Sequence, residues 1–229
     1  MSAKILRSLI LAVSMCVLVA PLAAKEKAKL PETTKDGLHL EHKTRHGAIY
    51  TKPGATLDAY TQVKILDVYV AFQKNWKRNF NDDQMDLENR VTDKDMEKIK
   101  ARVAKEFPIV FTKILEKGGY QAVDTTGKDV LLLRPAIINL VVTAPDLMTA
   151  GMTTNMVSSS GSMTLYMELY DSLTSAKIAE VLDSEEAGNN SFAHVANRVT
   201  NKADFDLTLE AWAKILVKRL DEAHGKASK

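Results

Sequence analysis

The chain has 229 residues, of which 45% are apolar, with 31 Lys and Arg against 29 Asp and Glu and a single cysteine. This composition excludes a disordered, fibrous or low-complexity chain, because so large an apolar fraction can form a buried core. Lys4 and Arg7 account for the small excess of positive charge, so the remainder lacks the clustered basic residues that nucleic acid binding requires.

The first 24 residues have the layout of a secretory signal peptide. After the positive start at Lys4 and Arg7, the uncharged segment 9–22 is followed by Ala23-Ala24 and then by the charged sequence KEKAK. This uncharged segment is too short to cross a hydrocarbon core, which needs about 20 residues. The sequence therefore predicts cleavage after Ala24 and localisation in the periplasm.

Cys16 raises the alternative of an outer-membrane lipoprotein. A lipidated cysteine needs small residues before it at the end of the apolar run, whereas Met15 precedes Cys16 and apolar residues continue beyond it. Lipidation is therefore the less favoured interpretation. After cleavage no cysteine remains, which excludes disulfides, thiolate catalysis and Cys-based zinc sites. No later segment reaches 18 uncharged apolar residues, so no transmembrane helix is predicted in the mature chain.

Residues 25–46 are polar and highly charged, and they predict a flexible leader, open to trypsin, before a single domain at 47–229. His39, His42 and His46 lie in this leader, and three imidazoles could hold zinc or copper in an exported protein. Their spacing fits one helical face only roughly, and the segment is predicted to be unstructured. Solvated histidines are therefore the favoured interpretation.

The domain begins with two predicted strands and a polar connection. Residues 47–51 indicate an edge strand, and the long segment 60–72, rich in β-branched and large apolar residues, predicts a strand with a bend or bulge. The connection 73–91 combines basic residues with Trp76, and sites that bind a nucleic acid backbone combine the same residue types. Because acidic residues follow at once and cancel this charge, we expect a solvated surface loop in which Trp76 tolerates substitution.

A helix is predicted over residues 93–117. Thr92 is the expected N-cap, Gly118-Gly119 the expected end, and Pro108 inside the pattern predicts a kink near Ala104. Its apolar residues are spaced to form one stripe with a period of 3.6 residues: Met96, Ile99, Val103, Phe107, Val110 and Ile114.

Three strands are predicted next. Residues 129–143 predict a long strand with a bend or bulge at Pro135, in which the charge of Arg134 should pair with an acid. Residues 162–171 alternate apolar and polar side chains, which is typical of a half-buried strand, and 176–183 could be a strand or a helix. Three neighbouring strands favour antiparallel pairing.

A last helix is predicted over residues 203–222, closed by His224-Gly225, with Trp212 at the centre of its apolar stripe. This helix and the helix at 93–117 are each apolar on one side, so each must cover another layer. The predicted fold class is α+β, with a mostly antiparallel sheet and two helices packed on one face.

Five methionines are concentrated in the region 148–167, at positions Met148, Met152, Met156, Met163 and Met167. Methionine clusters bind Cu(I) through their thioethers in oxidising compartments. Methionine is also a common core residue, and Met163 and Met167 lie on the apolar side of a predicted strand. Ordinary packing is therefore favoured over a copper site.

The segment 151–162 is small and polar, and it predicts a mobile loop. Its serines, Ser158 to Ser160, lack the Gly-x-Ser-x-Gly elbow of hydrolases, and His194 has no evident acid partner. The sequence also lacks phosphate-binding Gly-rich loops and His-Glu-x-x-His motifs. We therefore predict no enzyme, no catalytic, cofactor-binding or metal-binding residues, and no cofactor.

Two stretches resemble a family of exported bacterial proteins catalogued only as domain of unknown function 3313. They are YTQVKILDVYVAFQKNW at 60–76 and DVLLLRPAIINL at 129–140, and the similarity extends from about Gly47 to the last helix, including KIAEVLDSEEAGN at 177–189. The resemblance implies export and carries no catalytic residues to transfer. Family members often look like lipoproteins, a pattern from which Cys16 departs.

Two functional hypotheses follow from the sequence. The first is a non-enzymatic periplasmic or envelope-associated protein that works by binding, with another envelope protein as a candidate partner. The alternative is a small-molecule or metal carrier that uses the Met-rich region 148–167. The sequence leaves the oligomeric state open.

Overall fold

An eight-stranded mixed sheet and three helices form the fold. The computed structural model describes residues 30–143, 145, 155–157, 160–187, 194–196 and 198–226; the side chains of 155–157, 187, 194–196 and 198–200 are not described. The predicted signal peptide at 1–24, together with Met148 and Met152, lies outside the described residues.

The helices are α1 (Trp76–Asp82), α2 (Asp93–Lys117) and α3 (Arg198–Ala223), with one turn of 3-10 helix at Leu87–Asn89. The strands are β1 (His39–Lys43), β2 (Gly47–Thr51), β3 (Gln62–Ile65), β4 (Tyr69–Phe72), β5 (Gln121–Ala122), β6 (Val130–Val142), β7 (Asn155–Val157), β8 (Gly161–Asp171), β9 (Lys177–Ala187) and β10 (His194–Ala196).

The sheet follows the order β1-β2-β9-β8-β6-β3-β5, and β4 also pairs with β6. The strands β6, β8 and β9 are antiparallel neighbours, as predicted, and β2 and β1 continue this antiparallel pairing. Among the described strands, only the pairs of β3 with β5 and β6 and of β4 with β6 are parallel. The predicted α+β class with a mostly antiparallel sheet is therefore confirmed. β7, which lies within the segment 151–162 predicted as a loop, forms a separate antiparallel pair with β10.

The strand predictions are right in position and wrong in three details. The segment 60–72 is split into β3 and β4, and β2 lies inside the sheet between β1 and β9 rather than at its edge. The bend or bulge expected in β6 is misplaced, because Pro135 pairs regularly with Met167 and the register shifts between Ile138 and Val141. On its other side, Pro135 faces the break between β3 and β4. Proline has no N–H to donate to a ladder, so the neighbouring strand is interrupted there instead.

The helix α2 begins and ends at the predicted residues, and α3 ends within one residue of its predicted end. Thr92 caps α2 in a capping box, in which the Thr92 hydroxyl accepts from the Asp95 N–H at 3.2 Å and the Asp95 carboxylate accepts from the Thr92 N–H at 3.1 Å. The helix α2 continues through Pro108 and ends at Lys117, and Gly118 is its C-cap. The helix α3 begins before the predicted residue 203 and ends at Ala223.

The connection 73–91 is not the solvated loop that the sequence predicts. It contains α1, and Trp76 at the start of this helix is only 5% exposed. The Trp76 ring stacks on Phe72 with centroids 4.3 Å apart and lies 5.7 Å from Phe80. Trp76 and Phe80 are four positions apart on α1 and therefore lie on one side of this helix, whereas Phe72 contacts Trp76 from the end of β4.

The predicted flexible leader is also wrong for residues 31–46. His39–Lys43 pair with β2, Leu38 is fully buried, and the Tyr50 hydroxyl donates to the Pro31 carbonyl at 3.1 Å. Asp36 forms an ion pair with Lys177 at 2.6 Å. The apolar residue Leu38 and the ladder to β2 give this charged segment tertiary partners that its composition does not reveal.

We expect trypsin to cut slowly after Lys43, because cleavage needs a strand to leave the sheet. Replacing Leu38 with aspartate should speed this cut strongly, since a buried charge would open the segment 31–43. Leu87→Asp is the control, because Leu87 lies exposed on the 3-10 turn. Timed digestion with mass analysis of the fragments measures both rates, and fast cleavage after Lys43 in the unaltered protein would contradict the observed pairing.

The helices α2 and α3 contact each other, and α3 contacts β9 while α2 contacts β4 and β5. Trp212, at the centre of the α3 stripe, is 4% exposed, as predicted. Both helices and the sheet contribute to one core, whose largest fully buried side chains include Tyr120, Phe107, Phe111, Leu115, Leu131, Leu133, Ile137, Leu165, Leu209 and Leu220. In the described part of the chain, no helix is both long and apolar enough to span a membrane.

Candidate binding groove

A groove of about 600 Å³ lies between α3 and the part of the sheet formed by β2 and β9. It follows β9 from Ile178 to Asp183, and all the residues that line it belong to the described part of the chain. Its apolar lining comes from the sheet, from the segment after β2 and from α3: Ala48, Ile49, Ala55, Leu57, Leu165, Met167, Leu169, Ile178, Ala179, Val181, Leu182, Trp212, Ile215, Leu216 and Ala223.

The α3 wall of the groove is set by helical spacing. Trp212, Ile215, Leu216 and Arg219 are three, four and seven positions apart, so they lie on one side of the helix. Trp212 and Leu216 are buried, whereas Ile215 is 49% exposed although it is aliphatic. The apolar side of α3 is therefore wider than the core beneath it requires, and Ile215 faces the groove.

At the Asp183 end of the groove, a hydrogen bond joins the helix to the sheet. The Trp212 indole Nε1 donates to Asp183 Oδ2 at 2.8 Å, which satisfies both a half-buried carboxylate and a buried indole. Gly47 in β2 lies against this end. A Cβ at Gly47 would overlap the Leu182 carbonyl oxygen and the Asp183 side chain, so the close approach of β2 to β9 requires glycine here.

The rim of the groove carries two basic and two acidic side chains in loose contact. Arg219 Nη1 lies 3.4 Å from Glu222 on the same helix and 3.9 Å from Glu41 on β1, and Lys218 Nζ lies 3.8 Å from Glu222. All four side chains are more than a third exposed. Exposed pairs of this kind contribute little to stability. The Arg219–Glu41 contact reaches from α3 to β1 across the side of the groove.

A second polar cluster lies among side chains of β6, β8 and β9 that alternate with the core residues. Lys177 Nζ lies 2.6 Å from Glu168 Oε1 and 2.6 Å from Asp36, and Arg134 Nε lies 3.3 Å from Glu168 Oε2. The prediction that Arg134 pairs with an acid is therefore confirmed. The Tyr166 hydroxyl also donates to Glu168 Oε1 at 3.1 Å.

The pKa shifts of Glu168 and Lys177 both favour the charged forms of these side chains. Burial opposes ionisation of Glu168, but hydrogen bonds from Lys177 and Tyr170 outweigh it and hold the pKa of this carboxyl below its ordinary value. Burial likewise opposes the charge on Lys177, whereas its bonds to Asp36 and Glu168 raise the pKa of the ammonium. The cluster joins the segment before β1 to the sheet, which is a structural role.

The structure does not assemble the residues that the sequence singled out into one site. His39, His42 and His46 are exposed, and only His42 lines the groove. Among the described residues, no group of three or more His, Cys, Asp or Glu could hold a metal ion. The Ser160 hydroxyl donates to Asp204 at 2.5 Å.

Met163 and Met167 are buried in the core, as the packing interpretation predicts. Met148 and Met152 and the side chain of Met156 are outside the described residues.

Sequence patterns did not reveal the groove, because its walls come from segments that are far apart in the chain. The signal that could have indicated it is Ile215. This residue lies beside the stripe of Trp212 and Leu216 and has no evident place in a one-sided helix. An aliphatic residue that widens an apolar stripe predicts a second contact for that helix.

Comparison with known proteins gives a family and distant structural similarity. A family model described as "Protein of unknown function (DUF3313)" matches residues 33–216. No curated protein matches the chain. The PelC dodecamer from Paraburkholderia phytofirmans is 9% identical, with a TM-score of 0.36 over 80% of this chain and 99% of that one. A protein from Xanthomonas campestris of the DUF330 family is 12% identical, with a TM-score of 0.35 over 76% and 91% of the two chains. A DUF4136 family protein from Bacteroides thetaiotaomicron is 9% identical, with a TM-score of 0.36 over 78% and 98%.

Proposed function

Because this chain belongs to the DUF3313 family, whose description assigns no activity, we propose its function from its own geometry. The protein is a non-enzymatic binding protein of the bacterial cell envelope, and its ligand or partner occupies the groove beside α3. One observation carries this proposal: an apolar groove of about 600 Å³ remains open between α3 and the sheet. Ligand sites in proteins span about 300–1,000 Å³ and are lined mainly by apolar side chains.

The proposed arrangement of layers explains why the groove exists. In this proposal both α2 and α3 cover the face of the sheet that carries Leu165 and Met167. Packed helices lie about 8–10 Å apart and strands about 4.8 Å, so two helices cover about four strands. The strands β2 and β1 extend beyond them, and the space above β2 is the groove.

The lining of the groove supports binding rather than catalysis. General acid or base catalysis needs titratable groups at the reacting atoms, whereas the floor of the groove is formed by aliphatic side chains such as Ile49, Ala179 and Val181. The carboxylate of Asp183 is engaged by Trp212. The charged side chains lie at the rim, where they can orient a bound molecule.

Localisation in the envelope is proposed from the first 24 residues, with their positive start, uncharged segment and Ala23-Ala24. We expect mass spectrometry of the mature protein to find an N-terminus at or within a few residues of Lys25, without an acyl group. A mass that retains Met1 to Ala24 would contradict export by a cleaved signal. An acylated Cys16 at the N-terminus would instead identify a lipoprotein.

The function can be tested by placing a photo-crosslinking amino acid at position 215 in cells that make the protein. Irradiation should join a molecule of the envelope to the protein at this position. Position 109 is the matched control, since Ile109 is an isoleucine on α2 that is 51% exposed and does not line the groove. Equal adducts at both positions, or none at 215, would contradict a binding role for the groove.

A further inference from the structure

We propose that the groove binds one unbranched alkyl chain, and that a zwitterionic head group on this chain lies at the rim between α3 and β1. This inference rests on the proposed function and names the ligand class for the same site. Its occupant is thus a single-chain amphiphile of the kind that bacterial membranes supply.

The shape and lining of the groove match an alkyl chain. Five residue steps along β9, from Ile178 to Asp183, correspond to about 17 Å of length at about 3.3 Å per residue. Ile49 and Val181 belong to its floor and Leu216 to its helical wall. The hydrogen bond between Trp212 and Asp183 ties the helix to the sheet at one end, which limits the length of chain that the groove accepts.

The backbone of the floor argues against a peptide as the occupant. β2 and β9 pair with each other from Gly47–Asp183 to Thr51–Ala179, and β9 pairs with β8 on its other side. Their N–H and C=O groups are therefore used within the sheet. An extended peptide in the groove would have its own backbone groups desolvated without partners, which is costly, whereas an alkyl chain has none to satisfy.

The rim charges indicate the head group. Lys218 and Arg219 stand beside Glu41 and Glu222, so the rim carries both signs in equal number. Their mutual contacts, at 3.4–3.9 Å, are longer than a good charged hydrogen bond. A zwitterion offers an anion to the two basic side chains and a cation to the two acidic ones.

The Arg219–Glu41 contact also suggests how the chain enters. It reaches from α3 to β1 at 3.9 Å, between side chains that are 38% and 48% exposed. An exposed pair at this distance is easily exchanged for contacts with a charged head group. We infer that binding replaces this contact and opens the side of the groove.

The test is calorimetric titration of the purified mature protein, which begins at Lys25, with alkylphosphocholines of eight to sixteen carbons, each below its micelle concentration. Affinity should rise about fourfold for each added methylene, because each buried CH₂ contributes about 0.8 kcal/mol and 1.4 kcal/mol is a tenfold change. It should level off once the chain exceeds the length of the groove. An affinity that does not depend on chain length would overturn the proposal.

Matched variants locate the binding. Ile215→Glu should weaken binding at least tenfold, whereas Ile109→Glu, at an equally exposed position outside the groove, should leave it unchanged. Circular dichroism confirms that both variants are folded. Equal loss in both would overturn the assignment to the groove.

Singly charged probes test the head group. Alkyl sulfates, alkyl carboxylates and alkyl trimethylammonium ions of the same length should bind more weakly than the phosphocholine. Equal or tighter binding of a singly charged amphiphile would overturn the zwitterionic head group.

These titrations fail independently of the proposed function. If no alkyl probe binds while crosslinking at position 215 still joins an envelope protein, the ligand class is wrong and the binding role of the groove stands. If no alkyl probe binds and no adduct forms at position 215, both the ligand class and the binding role of the groove are wrong.

Discussion

Replacing Trp212 with alanine should lower the free energy of unfolding by about 3–5 kcal/mol, the usual cost of removing a large aromatic side chain from a core. The indole is 4% exposed and packs within the common core of α3 and the sheet. The substitution also leaves the half-buried Asp183 carboxylate without the Nε1 donor at 2.8 Å. Since domains are stable by only about 5–15 kcal/mol, we expect a poorly folded or scarcely produced protein.

Urea denaturation followed by circular dichroism measures this effect, and three variants separate its causes. Trp212→Phe keeps most of the packing and loses the hydrogen bond, so its loss should be clearly smaller. Leu207→Ala, on the same helix but 63% exposed, should cost less than about 1 kcal/mol. Trp76→Ala should also cost about 3 kcal/mol, because Trp76 is buried against Phe72 and Phe80. A loss at Trp212 no larger than that at Leu207 would contradict the packing of α3 on the sheet.

Replacing Lys177 with methionine should cost about 3 kcal/mol, because it leaves the buried Glu168 carboxylate without its closest cation. Arg134 and Tyr166 still contact Glu168, which keeps the loss near the lower end of the range for such pairs. Removing both charges, in Glu168→Gln with Lys177→Met, should restore part of the stability. Additive losses in the double variant would show that the pair is not coupled.

The loss in Lys177→Met should depend on pH in a defined direction. In the unaltered protein the Glu168 pKa lies below its ordinary value, so the stability that its charge contributes is present above about pH 4.5 and falls as the pH drops through the folded-state pKa. Without Lys177, burial should raise this pKa, so that the carboxyl takes up a proton more readily in the folded protein. The difference between the variant and the unaltered protein should therefore shrink from pH 7 to pH 4, and denaturation curves across this range measure it.

Helices and strands whose apolar residues recur with one regular spacing could be predicted from the sequence. The α2 stripe from Met96 to Ile114 and the alternation of β8 gave the right elements, because one apolar face decides both of them. Periodicity failed to predict burial where contacts with other elements determine it. Trp76 is buried because Phe72 and Phe80 meet it, and the charges between them concealed this spacing.

The burial of the segment before β2 could not be predicted from its composition either. Its composition is that of a solvated chain, yet Leu38 and the Lys177–Asp36 pair hold it against the sheet. For the groove, Ile215 is the one sequence signal, and it does not indicate which elements form the other walls. The walls of the groove come from α3 and from β2 and β9, which are neighbours only through the strand order of the sheet, and periodicity does not reveal this order.

The place of β2 in the sheet has a consequence for how the chain folds. Ala48 pairs with Leu182, more than half the chain length away, whereas β8 pairs with its immediate successor β9. The hairpin of β1 and β2 emerges first from the ribosome, and from a translocation channel if the chain is exported. It has no neighbouring strand until β9 has followed it. During that interval β2 presents an open edge, and contacts between such distant residues form slowly. The charged residues around β1 and β2 then protect the nascent chain from pairing with other copies, a task distinct from their contacts in the folded protein.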